Sequence, residues 1–217
     1  MLKAIIPARS GSTRVVNKNI RPFADSNLLV IKIEQLKRIR QIDGIIVNSN
    51  DDEILSIAKK MGVDTVKRDP YFATNTVSIN EVYVDWAKHC DSDDIIHCNV
   101  TNPLLEDDSI RKMIDFFYEN KKIYKSINSS NRVSEFMWLN NAPINYDVNK
   151  MPRSQDLPNI QALNFAVNIL SKKTMIDSRN LISDKPFLYE LSDNESVDVD
   201  WPIDFEFAEF LYNKNIR

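Results

Sequence analysis

Between residues 1 and 128, short apolar segments alternate with helical ones, and no other feature of this sequence restricts its fold so severely. A first strand breaks at Pro7, the strand GIIVNS opens at Gly44, and further strands fit Val63 to Val66, Asp94 to Val100 and Ile123 to Asn128. Helices fit the intervals: one capped by Ser26 and running to about Arg40, with Leu29, Ile33, Leu36 and Ile39 as its apolar stripe, and one from Asp51 to Lys60, closed by Gly62. Two more span about Val77 to Cys90 and about Asp107 to Tyr118. This alternation predicts an α/β fold, a mostly parallel sheet with helices on both faces. Sheets of this kind bind ligands beyond the carboxyl ends of their strands.

The pattern changes over residues 133–192, where helical periodicity fades and alternating stretches such as EFMWLN and LNFAVNIL are separated by prolines. That segment reads as an inserted antiparallel excursion within a single domain of residues 1–217, with one helix around Lys172 to Arg179. Helical pattern returns at Pro202, with Ile203, Phe207, Phe210 and Leu211 as the apolar stripe.

The loop after the first strand is the first candidate site. Residues 1 to 24 hold Lys3, Arg9, Arg14, Lys18 and Arg21 and no acidic residue. Its small residues offer backbone N–H groups to an anion, while Arg supplies a planar fork and Lys a mobile charge, which suits a polyphosphate. Gly11 is one of only three glycines in the chain, a sign of backbone need at that point. The other end is the electrostatic opposite: from Tyr189 to Tyr212 there are eight acidic residues and no Lys or Arg. Asp198 and Asp200, one residue apart on an extended segment, project to the same side and could share a hard divalent cation. Asp204 and Glu206, just after Pro202, suit the start of a helix.

The formal charge of -3 and pI near 5.5 argue against a general nucleic-acid binder. Cys90 and Cys98 lack the paired spacing of a zinc site and read as reduced structural thiols. No run is apolar and long enough for membrane insertion, and MLKAIIPARS is too short a hydrophobic stretch for a signal peptide, so a cytoplasmic protein is expected. Neither G-x-G-x-x-G nor G-x-x-x-x-G-K-[ST] is present.

The string I-I-P-A-R-S-G-S-x-R-x-x-N-K-N-I resembles the opening signature of the acylneuraminate cytidylyltransferases, the CMP-sialic acid synthetases with the related CMP-KDO synthetases. Later segments resemble the family in the same order. They are Ile46 to Ile54, with Asn50 where threonine is usual; Lys67 to Pro70 with Thr74 to Ser78; Asn99 to Leu104; Pro152 to Gln155; Asn164 to Val167; and Ser196 to Asp200 with Asp204 and Phe205.

This resemblance, which spans nearly the whole chain, implies a three-layer Rossmann-like nucleotide-diphospho-sugar transferase fold and a Mg2+-dependent enzyme. Such an enzyme passes CMP from CTP to the anomeric hydroxyl of a nonulosonic or related 2-keto sugar acid. It implies nucleotide contacts from Ala8, Arg9, Ser10, Gly11, Ser12, Lys18, Asn19, Arg68 and Ser78. It implies sugar contacts from Asn99, Thr101, Arg153, Gln155 and Asn164, metal ligation by Asp198 and Asp200, and catalytic roles for Arg9, Lys18 and Asp200. It further implies a homodimer joined through the excursion. Phe165 stands where the family has glycine and Asn99 where it has glutamine, which points to an acceptor other than the commonest sialic acid. Two alternatives stay open: a nucleotidyltransferase acting on a sugar 1-phosphate with CTP or GTP, and a non-catalytic nucleotide-binding homologue.

Overall fold

The computed structural model describes residues 1–74 and 76–215; Asn75, in the Thr74 to Ser78 segment of the resemblance, lies outside the described residues. Strand β1 (Leu2–Pro7) leads to a two-strand hairpin of β2 (Pro22–Phe23) and β3 (Ser26–Asn27), then α1 (Leu28–Lys37) and β4 (Gly44–Ser49). Next come α2 (Asp52–Lys60), β5 (Asp64–Lys67), α3 (Ile79–Lys88), β6 (Asp94–Cys98), α4 (Asp107–Asn120) and β7 (Ser126–Val133). The hairpin β8 (Trp138–Leu139) and β9 (Ala142–Pro143) precedes β10 (Ile160–Ser171), α5 (Lys172–Ser178), β11 (Pro186–Glu190) and α6 (Pro202–Asn215).

Seven strands form one sheet in the order β11-β7-β10-β6-β1-β4-β5. β1 runs parallel to β4 and β6, β4 to β5, and β11 to β7, while β10 is antiparallel to both its neighbours. Six strands therefore point one way and β10 alone points back. Their carboxyl ends share one edge, and the loops that follow β1, β4, β5 and β6 carry Arg9, Asn50, Arg68 and Asn99 to it.

Alternation along each strand sorts side chains between two cores. Leu2, Ala4 and Ile6 of β1 join Leu29, Ile33, Ile54, Ile110 and Phe205 on the face covered by α1, α2, α4 and α6. Ile5, Ile46 and Ile95 join Val82, Trp86 and Met175 on the face covered by α3 and α5. This is the three-layer arrangement expected from the sequence.

Three local expectations shift and one holds. The cap of α1 is Asn27, whose side chain accepts from Val30 N at 2.9 Å, because the helix begins at Leu28, one residue beyond it, and Ser26 lies further out in the β2–β3 hairpin. Gly62 sits past α2 with φ +69°, as read. Residues 160–171 and 186–190, assigned by pattern to the excursion, are strands of the main sheet, and the part that stands apart is 134–159. The α6 stripe is also reversed: Ile203, Phe207 and Phe210 are exposed, and the helix packs through Phe205 and Ala208. Both faces of α6 are apolar, and the edge-to-face contacts of Phe23 with Phe205 and Tyr212 decide between them.

The β7–β10 pairing is polar inside. Asn128 donates to Asn168 Oδ1 at 2.8 Å and to Leu181 O, Ser126 donates to Asn128 Oδ1, and the Asn168 amide faces His97 Nδ1 at 3.1 Å. His97 is buried and stacked on Trp86 at 5.5 Å, and burial pushes its pKa down to about 3. Unfolded chain takes up this proton below about pH 6.5 while the folded protein refuses it until about pH 3, so stability is full above that window and lost as pH falls through it. The loss reaches up to about 1.4 kcal/mol per pH unit. Urea midpoints measured from pH 7 to pH 4 are therefore expected to fall more steeply for wild type than for His97→Gln; equal slopes would contradict a buried neutral imidazole.

Candidate active site

The first loop leaves β1 and closes one wall of a cavity of about 250 Å³. Arg9, Gly11, Ser12, Arg14, Lys18 and Asn19 line that wall, and Asn99, Thr101 and Asp200 line the other. Gly11 has φ +87°, and a Cβ there would meet nothing within 4 Å, so backbone conformation and not space calls for glycine. The loop is held at three points. Ala8 N donates to Asn48 O at 3.0 Å, and the Asn19 amide donates to Arg9 O at 3.0 Å. Ser10 and Asn50 bond reciprocally, Ser10 N to Asn50 Oδ1 at 3.0 Å and Asn50 Nδ2 to Ser10 Oγ at 2.8 Å. Asn50, a departure from the family's usual threonine, thus becomes a brace for the loop.

The acidic segment reaches the same cavity from the far end of the chain. Val199 N donates to Thr101 O at 2.9 Å and the Asn102 amide donates to Val197 O at 3.2 Å, so residues 197–199 lie along the segment that follows β6. Asp204 Oδ2 accepts from Asp200 N and Trp201 N, which fixes the turn into α6. Lys18 Nζ donates to Val199 O at 2.6 Å and to Asp200 Oδ1 at 3.2 Å, and Arg14 Nη2 reaches the same Oδ1 at 3.1 Å while lying over the Trp201 ring. First loop and last acids are therefore in direct contact, 182 residues apart in sequence.

Asp198 is the less satisfied of the pair. Thr101 hydrogen-bonds its carboxyl, yet Oδ1 is buried with no partner among the described residues. Burial, and secondarily the neighbouring Asp200, hold this carboxyl above the usual carboxylate range.

Arg68 lies beside this cavity and, with Arg9 and Phe72, lines a second hollow of about 310 Å³. Its guanidinium donates to Asn48 Oδ1 at 2.6 Å and Asn48 O at 3.2 Å and lies over Trp86 at 5.4 Å. Burial, with Arg9 nearby, pulls its pKa down to about 10. Arg9 itself donates to Ala73 O at 3.1 Å.

Four residues read from the sequence as substrate contacts lie elsewhere. Ser78 caps α3, its hydroxyl accepting from Asn80 N. Arg153 and Gln155 are exposed in the excursion, Arg153 paired with Asp156 at 2.7 Å. Asn164 sits at a bulge in β10, where its Oδ1 accepts from Ser129 Oγ and Ala166 N and its Nδ2 is buried without a partner among the described residues. Phe165 follows it at φ +55°, a left-handed conformation that explains glycine as the family's residue there. Sequence reading left Arg14 undecided and missed Asn50 and Trp86; only their partners in space mark them.

The profile of the cytidylyltransferase family matches residues 3–216. Pseudaminic acid cytidylyltransferase of Campylobacter jejuni is 26% identical over 222 residues, covering 97% of this chain and 96% of that protein. CMP-N,N'-diacetyllegionaminic acid synthase of Legionella pneumophila is 27% identical over 227 residues, covering 98% and 96%. In fold, the chain is similar to a CMP:2-keto-3-deoxy-manno-octonic acid synthetase solved with CTP, with TM-score 0.72, 12% identity and 99% of each chain covered. The chain belongs to the cytidylyltransferase family and is an enzyme of that class, its relatives being acylneuraminate-type synthetases.

Proposed function

We propose that this enzyme transfers CMP from CTP to the anomeric hydroxyl of a nonulosonic acid of the pseudaminic, legionaminic or sialic type, releasing pyrophosphate. The product would feed assembly of a surface polysaccharide or glycan. The observation that carries the reading is the convergence of Arg9, Arg14 and Lys18 with Asp200 on one cavity at the carboxyl edge of the sheet, with Asp198 two residues away beside Thr101 of its wall. The sequence relatives, named for such acids, supply the acceptor class.

Arg9 and Lys18 would hold the triphosphate, as donors fixed before charge builds on the departing pyrophosphate. Gly11 and Ser12 would offer backbone N–H groups to the same phosphates. The hydroxyl oxygen attacks the α-phosphorus, the bond to the α–β bridging oxygen breaks, and the hydroxyl proton is lost to water. Arg68, braced on Trp86, would meet the base, with Ala8, Ser10 and Asn19 around the nucleotide. Asn99 and Thr101 would face the sugar, supported by Asn164.

The acid pair fits a divalent cation. Asp198 Oδ1 is desolvated and lacks a partner among the described residues, which a cation would correct, and Mg2+ commonly takes one or two carboxylates and fills its sphere with substrate phosphate and water. When bound, the ion neutralises the triphosphate and acidifies the attacking hydroxyl.

A homodimer is also proposed. The excursion exposes Trp138, Leu139, Ile144, Val148 and Met151, an apolar group that a second copy would cover. Arg153 and Gln155, remote from their own cavity, would then serve the partner's sugar pocket, Arg153 pairing with the acceptor carboxylate. A monomeric mass by light scattering, with full activity, would contradict this.

The reaction is tested by pyrophosphate release from CTP, GTP, UTP and ATP against a panel of nonulosonic acids and sugar 1-phosphates. Turnover is expected with CTP and a nonulosonic acid; turnover with sugar phosphates alone would overturn the proposal.

A further inference from the structure

Helix α1 carries Lys32 and Gln35, and Arg38 caps its C-terminus three residues on; Lys32 and Gln35 bond to the segment between β6 and α4, and Arg38 bonds to Asp107, the first residue of α4. Arg38 makes two bonds to the Asp107 carboxylate, at 2.8 and 3.0 Å, and Gln35 donates to Leu105 O and Asp107 Oδ1. These fix the far half of the segment and the first turn of α4. Lys32 alone reaches the near half: its Nζ donates to Asn102 O at 3.2 Å and to Gln35 Oε1 at 2.7 Å.

Lys32 is 0% exposed. A buried ammonium is disfavoured against an apolar side chain of the same shape, and burial pulls this one down to about 8. Methionine would fill the site without a charge, so packing does not account for lysine here. The groups it touches do. Asn102 is itself 0% exposed, and it bonds the acidic segment through its side chain to Val197 O. Its neighbour Thr101 bonds the same segment through Val199 N. These two bonds flank Asp198, and Lys32 holds the peptide that joins them to the core.

We infer that Lys32 is a positioning residue: its buried ammonium anchors the Asn102 turn, and through the Asn102–Val197 and Thr101–Val199 bonds sets where Asp198 and Asp200 stand. It touches neither carboxylate. This rests on the acid pair having the role proposed above. Displacing a ligand-bearing segment by about 1 Å can reduce turnover on the order of a hundredfold, and loss of an outer partner typically weakens metal affinity about 10- to 100-fold.

The test compares full-length Lys32→Met, Arg38→Met and Asp198→Asn with wild type by kcat, KM for CTP and Mn2+ affinity, the last from paramagnetic resonance titration with CTP present. Lys32→Met is expected to lower kcat at least about tenfold and weaken Mn2+ binding about tenfold, with KM for CTP changed by less than about threefold. Arg38→Met is expected to lower the thermal midpoint and leave all three unchanged. Folded Lys32→Met with kcat and Mn2+ affinity within about twofold of wild type overturns the inference. If Lys32→Met does not fold, Asn102→Ala decides: it should show the same pattern, and wild-type values there overturn the inference equally. A fully active Asp198→Asn would instead overturn the role of the acid pair.

Discussion

Asp198→Asn is expected to lose CTP-dependent pyrophosphate release by at least about a hundredfold while remaining as stable as wild type or more so. The substitution keeps the shape and the Thr101 contact and removes the charge. In the folded protein that charge is desolvated, sits beside Asp200 and leaves Oδ1 without a partner among the described residues, so its pKa is raised and its ionised form destabilises the fold. Removing it should raise the thermal midpoint at neutral pH. An aspartate kept for structure would behave oppositely, losing stability and little activity. The combination of a higher midpoint and lost turnover is the signature of a group held under strain for function. Asp200→Asn should differ in one respect: its carboxylate is paired with Lys18 and Arg14, so activity falls without any gain in stability.

Lys18→Met is expected to lower kcat/KM for CTP by about 10²- to 10³-fold, and Arg14→Met by much less. Both cations reach Asp200 Oδ1 at nearly the same distance, 3.2 and 3.1 Å. Burial separates them. The Lys18 side chain is 13% exposed and also holds Val199 O, whereas that of Arg14 is 47% exposed and its pairing is screened by water. Lys18→Arg should not restore activity, because a planar fork cannot occupy the narrow space between Val199 O and Asp200 as a point charge does. Steady-state kinetics with CTP varied would check the ranking, and equal losses at the two positions would contradict it.

The parts of the fold legible in the sequence were those governed by local periodicity. The alternation up to Asn128 gave the parallel sheet, and the Leu29, Ile33, Leu36 and Ile39 stripe is buried as read. The basic first loop and acidic last segment could be read as charge, and their meeting as a condition on the fold, which Lys18 and Asp200 fulfil. What escaped depends on contacts distant in sequence. β10 crosses the core with Asn168 facing His97 and Asn128, so a polar residue interrupts its buried run of Ala166, Val167, Ile169 and Leu170 and imitates the alternation of a surface hairpin. α6 is apolar on two faces, and only the β2–β3 hairpin selects one. Nothing in the sequence singles out Lys32, because a buried lysine is recognisable only by the carbonyl it holds. Arg153, assigned by motif, stands 78% exposed by its side chain on the excursion, outside the cavity of its own chain.

The central claim is that phosphate-holding cations and the acid pair together move a CMP group onto a hydroxyl, and the product's phosphorus spectrum tests it most directly. Incubation with CTP, Mg2+ and a nonulosonic acid should yield pyrophosphate and a single phosphodiester resonance, that of a CMP-sugar. A coupled pair of diphosphate resonances formed from a sugar 1-phosphate, with no phosphodiester from any nonulosonic acid, would contradict it.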